Sequence, residues 1–147
     1  MALSFNGTNQ YVRTGQSTDL TQWTIMAWVY AYTDIAGSVI KQIFSRENNY
    51  QINWDHTASA CQRSVGLKIG ATWYFQQVSS LSKNTVYHIA GSYGSNTLKA
   101  YLNGTYIGAN TSMSGNPSAQ TGGATIGSGI NPINYFDGCV WDVRVYN

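Results

Sequence analysis

Charge is scarce in this chain: Lys, Arg, Asp and Glu together make up 10% of its 147 residues. The eight basic residues are scattered from Arg13 to Arg144 without a run, and the net charge is +2. No phosphate-binding stripe forms, so nucleic acid is not an expected partner. Long apolar runs are also missing. No stretch approaches the roughly 18 residues that cross a bilayer, and Met1-Ala2-Leu3-Ser4-Phe5 lacks the basic and apolar regions of a signal peptide. The expectation is a soluble chain without membrane insertion, any export signal lying outside this sequence. Cysteine is limited to Cys61 and Cys139, with no Cys-x-x-Cys spacing for zinc or redox work. Sequence separation leaves a disulfide open, although a chain this poor in cysteine favours two free thiols.

Carboxylates are few enough to test for catalysis. Glycoside hydrolysis normally needs two of them flanking the scissile bond. Here a single glutamate, Glu47, stands with Asp19, Asp34, Asp55, Asp137 and Asp142. Glu47 sits in the turn-like Ser45-Arg46-Glu47-Asn48-Asn49 beside a neutralising Arg46. Asp55 and His56 offer an acid and a base side by side, but no Ser or Cys elbow accompanies them, and a solvated loop pair is the better reading. The chain is not expected to be an enzyme.

What the sequence does contain is aromatic and β-forming. Aromatics reach 14%, with five Trp and eleven Tyr, and Asn, Ser, Thr, Gln and Gly fill the places that Lys and Glu take in helical proteins, so long helices are not expected. In Thr24 to Ala31, Ile25, Ala27, Val29 and Ala31 share one face while Met26, Trp28 and Tyr30 share the other. Both faces are apolar, which predicts a central strand covered on both sides. Further strands are expected at 11–13, 39–45, 50–54, 65–69, 73–78, 86–93, 97–102, 106–109 and 124–126. Short strands at this spacing indicate a sandwich or barrel. Asn103-Gly104 is a favoured pair for a two-residue hairpin turn, predicting a hairpin over Thr97 to Ala109. The stretch from Asn110 to Ile133 reads as loop, strand, loop.

The two ends alternate apolar and polar residues as half-buried strands do, Ala2 to Thr8 at one end and Phe136 to Tyr146 at the other. They are expected to pair in one sheet, making residues 1–147 one domain with a sizeable core.

Stacking on sugar rings needs a flat aromatic face with Asn, Asp, Gln or Arg beside it. Along Tyr50 to Asp55, the residues Gln51, Asn53 and Asp55 form a polar row on one side. In Thr72 to Gln77, Trp73 and Phe75 oppose Tyr74 and Gln76, and three consecutive aromatics cannot all enter one core. The candidate carbohydrate-binding face is Gln51, Asn53, Asp55, Tyr74 and Gln76, joined by the loop residues Arg46, His56 and Tyr135. An ordinary polar sheet face without a ligand is the alternative. Asn6-Gly7-Thr8, Asn103-Gly104-Thr105 and Asn110-Thr111-Ser112 satisfy the glycosylation pattern, which carries little weight in so Asn- and Thr-rich a chain.

The succession of these pieces is more specific than any one of them. Phe5-Asn6-Gly7, Tyr11-Val12, Ile25 to Val29, Tyr50-Gln51-Ile52, Tyr87-His88-Ile89-Ala90, Leu98 to Gly104, Ile126-Gly127, and Phe136-Asp137-Gly138 leading to Arg144-Val145-Tyr146 follow one another over nearly the whole chain. In this order the chain resembles laminin G-like, concanavalin A-like lectin-glucanase domains. The resemblance implies an all-β fold, a two-sheet antiparallel jelly-roll sandwich with adjacent terminal strands. It also implies binding of sugars or proteins rather than catalysis, at an extracellular or surface location. Many such domains hold a structural calcium ion where the first and last strands meet. The matching positions here are Asn6, Thr8 and Asp142, and Asn6 stands where Asp is more typical. The alternative is that Asn6 and Asp142 cap turns or bond across strands without metal. Trp28 matches a framework position and is left out of the site, and His88 matches a structural histidine.

The function expected is a non-catalytic, lectin-like module binding a glycan or glycoprotein on a concave sheet face or loop rim. Its weak single site would be reinforced by homo-oligomers or tandem copies. The alternative is a structural or adhesion domain of a surface or virion protein making protein contacts.

Overall fold

The computed structural model describes every residue except 16–18, 35–38, 47–48, 55–62, 80 and 130–132. Twelve strands occur among them: β1 (Leu3–Asn6), β2 (Val12–Thr14), β3 (Trp23–Ala31), β4 (Gln42–Arg46), β5 (Tyr50–Trp54), β6 (Arg63–Ile69), β7 (Thr72–Ser79), β8 (Val86–Gly94), β9 (Thr97–Leu102), β10 (Thr105–Asn110), β11 (Ala124–Ile126) and β12 (Asp137–Tyr146). They form two six-stranded sheets, ordered β1-β12-β3-β8-β9-β10 and β2-β11-β4-β5-β6-β7. Every strand pairing is antiparallel. This is the jelly-roll sandwich expected, with the terminal strands adjacent: Phe5 lies opposite Gly138 and Asn6 opposite Asp137.

Alternation explains why the sheets close on each other. Ile25, Ala27, Val29 and Ala31 of β3 are fully buried, as are Tyr50, Ile52, Val65, Leu67, Ile89, Leu98 and Val140 of the strands around and opposite them. These side chains form one core between the sheets. Trp23 stacks on Tyr50 at 4.9 Å inside it. Burying such side chains contributes roughly 1.5–3 kcal/mol each against the entropy of ordering the chain.

One expectation fails here. β3 is central, between β12 and β8, but is covered on one side only. Its outward residues Thr24, Met26, Trp28 and Tyr30 reach solvent, and Trp28 is 36% exposed. Apolar residues on both sides of a strand do not require a third layer, because a sandwich has only two. The Asn103-Gly104 turn forms as expected, with φ of 50° and 81° at its two residues. β9 and β10 pair on either side of it with a bulge between Tyr106 and Gly108.

The long segment before β11 is tied down by buried polar groups. Arg46 Nη1 donates to Gly122 O, and its Nη2 donates to Gln120 O at 2.8 Å and to Asp19 Oδ1 at 3.0 Å. Asn49 Nδ2 donates to Ser118 O at 2.8 Å, and Asp19 Oδ2 accepts from Gln120 N at 2.9 Å. Opposite, the buried Arg63 guanidinium lies 3.9 Å over the Trp54 ring and donates to Leu81 O.

Candidate functional site

The pairing register sorts the expected site residues onto two sides of the second sheet. Gln51 pairs with Gly66, which pairs with Phe75; Asn53 pairs with Ser64, which pairs with Gln77. Cross-strand partners share a face, so Gln51, Asn53, Ser64, Phe75 and Gln77 all point away from the core. Ser45 and Thr125 continue the same row. Tyr74 instead pairs with Leu67 and packs against the core, and Gln76 pairs with Val65. The side-chain amide of Gln76 reaches Gly108 of the other sheet.

The outer aromatics of β7 are therefore Trp73 and Phe75. Their rings stack at 5.7 Å with planes 14° apart, and Phe75 is 39% exposed. Gly66 makes this possible. A Cβ there would stand 2.5 Å from the Phe75 ring and 3.5 Å from Gln51 Cγ, so the missing side chain is the space into which Phe75 leans beside the amide row.

Beside these aromatics lies a floor of polar groups. Gln42 Nε2 donates to Gln51 Oε1 at 2.5 Å, Asn134 Nδ2 to Gln42 Oε1 at 3.4 Å, and Asn53 Nδ2 to Ser64 Oγ at 3.4 Å. Gln42, Gln51, Asn53 and Ser64 are all buried, and they bond to one another. Asn53 Oδ1 has no hydrogen-bond partner among the described residues. A buried acceptor left open is uncommon and marks a place for an ordered water. Toward β7 the floor opens, and Gln77 is exposed next to Phe75.

Other expected residues are placed elsewhere. Arg46 is fully buried and spent on Asp19 and the loop carbonyls, so it does not face this surface. Tyr135 bridges to Gln42 and packs its ring 6.4 Å from Tyr11, at the opposite edge of the sheet from Phe75. Asp55 and His56 lie outside the described residues, as do Glu47 and Cys61. Cys139 is a half-buried free thiol with Tyr32 Oη at 3.0 Å.

The residues expected to hold calcium do not meet. Asn6 faces Asp137, whereas Asp142 stands five residues further along β12, roughly 16 Å away at strand rise. Asn6 Oδ1 accepts from Thr8 N at 3.0 Å and Asn9 N at 3.2 Å, closing its own turn. The Thr8 hydroxyl donates to Asn6 O. Asp142 accepts from Arg144 Nε at 2.7 Å, a bond that pushes the guanidinium above its usual range. Near Asn6, Lys41 Nζ donates to Gly7 O at 3.3 Å and Thr33 Oγ1 to Asp137 Oδ2 at 2.9 Å. This set does not fit a calcium ion, which needs six to eight converging oxygens.

A sequence profile described as the concanavalin A-like lectin/glucanases superfamily, of the laminin G type, matches residues 6–147. The chain belongs to that superfamily. Similar solved structures share its fold at low identity. A heptameric SAP-like pentraxin of Limulus polyphemus is 18% identical at a TM-score of 0.73, over 98% of this chain and 74% of the pentraxin. Domain 4 of an extracellular arabinanase from Geobacillus stearothermophilus, in complex with arabinotriose, is 17% identical at 0.77, over 99% and 70%. The IT-sialidase CBM40 of Ruminococcus gnavus, bound to alpha2,3 sialyllactose, is 12% identical at 0.71, over 99% and 91%. No curated protein sequence matches the chain significantly.

Two features of this superfamily member went unread in the sequence. Trp28, set aside as framework, faces solvent on the first sheet together with His88. A polar cleft of about 380 Å³ also opens at the end of β3, β8 and β9, lined by Gln22, Thr24, Ser95, Thr97, Lys99 and Asn147. No pattern in sequence announces the cleft, since its walls come from four separate segments.

Proposed function

We propose that this domain is a non-catalytic carbohydrate-binding module acting at an extracellular or surface location, with its glycan site on the outer face of the second sheet. The observation that carries the reading is the Trp73–Phe75 stack on the same face as the amide row. A sugar ring would lay its CH face on Phe75, which is apolar and partly exposed, while Gln77 bonds to its hydroxyls. Gln51 and Asn53 lie buried beneath them and brace the row, Gln51 through Gln42 and Asn53 through Ser64. Complexes of similarly folded proteins with arabinotriose and with alpha2,3 sialyllactose support a sugar as the ligand class. The four described carboxylates are each engaged by a cation or a hydroxyl: Asp19 by Arg46, Asp34 by Lys83, Asp137 by Thr33 and Asp142 by Arg144. With one glutamate and five aspartates in the whole chain, few carboxylate pairs are on hand for hydrolysis, which supports binding.

A glycan array tests the proposal. Selective binding is expected, and Phe75→Ala should weaken it about tenfold, ~1.4 kcal/mol. Tyr74→Ala would lower stability through the core instead. Failure to bind any glycan would turn the reading toward an adhesion domain.

A further inference from the structure

The outer face of the first sheet is built differently from that of the second. Its cross-strand rows are Ser4, Cys139, Tyr30 and Val86; then Trp141, Trp28 and His88; then Arg144, Met26, Ala90, Tyr101 and Tyr106. Trp28 and Trp141 lie 6.3 Å apart with planes only 8° from parallel, and the His88 ring is 5.0 Å from Trp28. Tyr101 and Tyr106 pair at 5.7 Å, and Tyr106 is 55% exposed. An apolar depression of about 300 Å³, lined by Tyr30, Val86, Cys139 and Trp141 with Met1 and Ala2, adjoins the tryptophans.

We infer that this face is a second binding surface, whose occupant is a neutral, extended polysaccharide chain laid across the strands over Trp141, Trp28 and His88. Three properties select that occupant. The two near-parallel indoles repeat at 6.3 Å, close to the size of one sugar ring, so consecutive residues of a chain meet Trp141 and Trp28, with His88, tilted by 50° at 5.0 Å from Trp28, at the end of the row. Charge on the face is balanced where it is nearest, because Arg144 is held by Asp142 at 2.7 Å; an anionic glycan gains little there, and a neutral one loses nothing. Area does not require a second copy of the chain. An aromatic side chain presents about 150–250 Å², and of the outward rings Trp28 is 36% and Tyr106 55% exposed, while Tyr30, His88, Tyr101 and Trp141 are half-buried. The apolar surface is thus a few hundred Å², no more than the apolar share, somewhat over half, of the roughly 800 Å² per partner in a standard interface. A shallow aromatic strip of that size suits a chain ligand.

Retention of the intact chain on microcrystalline cellulose, insoluble chitin and insoluble β-mannan tests the inference. At least one of them should retain the protein. Trp28→Ala and Trp141→Ala should each lower the retained affinity about tenfold or more, while array binding to soluble oligosaccharides persists. Should a variant fold poorly, the wild-type chain supplies the readout: the retaining polysaccharide should protect Trp28 and Trp141 from N-bromosuccinimide oxidation, followed by mass spectrometry. No retention on any of the three, or retention lost with Phe75→Ala and unchanged in Trp28→Ala, would overturn this surface and leave the first glycan site standing. Sedimentation showing a wild-type dimer that Trp28→Ala dissociates would overturn it in favour of a second copy. Loss of array binding alone would fell the function proposed above without touching this one.

Discussion

Gly66 and Tyr93 show how much a single position decides. The Phe75 ring occupies the volume that a side chain at 66 would take. Gly66→Ala should therefore lift the ring off the amide row, and glycan affinity should fall several-fold with a stability loss of about 1–3 kcal/mol from overpacking. Paired titrations and denaturant melts of the variant would separate the two effects. Tyr93 is buried at the rim of the core, its hydroxyl donating to Gly115 O. Burial raises the phenol above its ordinary 10.0. The folded state then holds the proton more tightly than the unfolded chain, so this contribution to stability is complete below pH about 10 and is lost as pH climbs through the raised value. Tyr93→Phe should flatten that alkaline decline in a pH series of melts. It should also cost about 1 kcal/mol at neutral pH, where the Gly115 carbonyl loses its donor.

Elements depend on polar groups as well as on the core. The loop before β11 has few apolar anchors, Met113 and Pro117 among them, and hangs on Arg46, Asn49 and Asp19. Arg46→Met would leave the Gly122 and Gln120 carbonyls unpaired and Asp19 without its cation. A loss of about 3 kcal/mol is expected, within the range for breaking a buried pair. Hydrogen exchange should quicken first over residues 118–123 and in β11, and unchanged protection there would contradict the role given to Arg46. Strand positions were largely legible: the alternation in Thr24 to Ala31 and the Asn103-Gly104 turn mark their elements because side-chain period and positive φ are local properties. Face was not. Trp73 and Phe75 were separated correctly from Tyr74 and Gln76, yet which pair entered the core depended on β7 pairing with β6 so that Tyr74 meets Leu67.

At the scale of the whole molecule, the terminal strands join without gathering metal ligands among the described residues. Asn6 and Thr8 close a turn, Lys41 bonds to the loop carbonyl, and Asp142 stands far along β12. Asn6→Ala and Asp142→Asn should each leave any difference between the melts in calcium and in EDTA unchanged. An ion bound at a hundred times its Kd would add about 2.7 kcal/mol and shift the melt plainly. Two outer faces with different chemistry lie on opposite sides of one sandwich, one a buried amide row exposed only at its β7 margin and the other aromatic and partly exposed.

Periodicity, turn chemistry and the order of short motifs were enough to establish that the chain is a β-sandwich with paired ends, because each of these acts over a few neighbouring residues. The sites needed the assembled sheets. Burial of Arg46, separation of Asn6 from Asp142, outward placement of Trp28 and the seat of Phe75 on Gly66 all follow from strand register and from which side of each sheet the core occupies. A shift of one residue in any pairing would exchange the two faces, and no local pattern sets that choice; the packing of the two sheets against each other does.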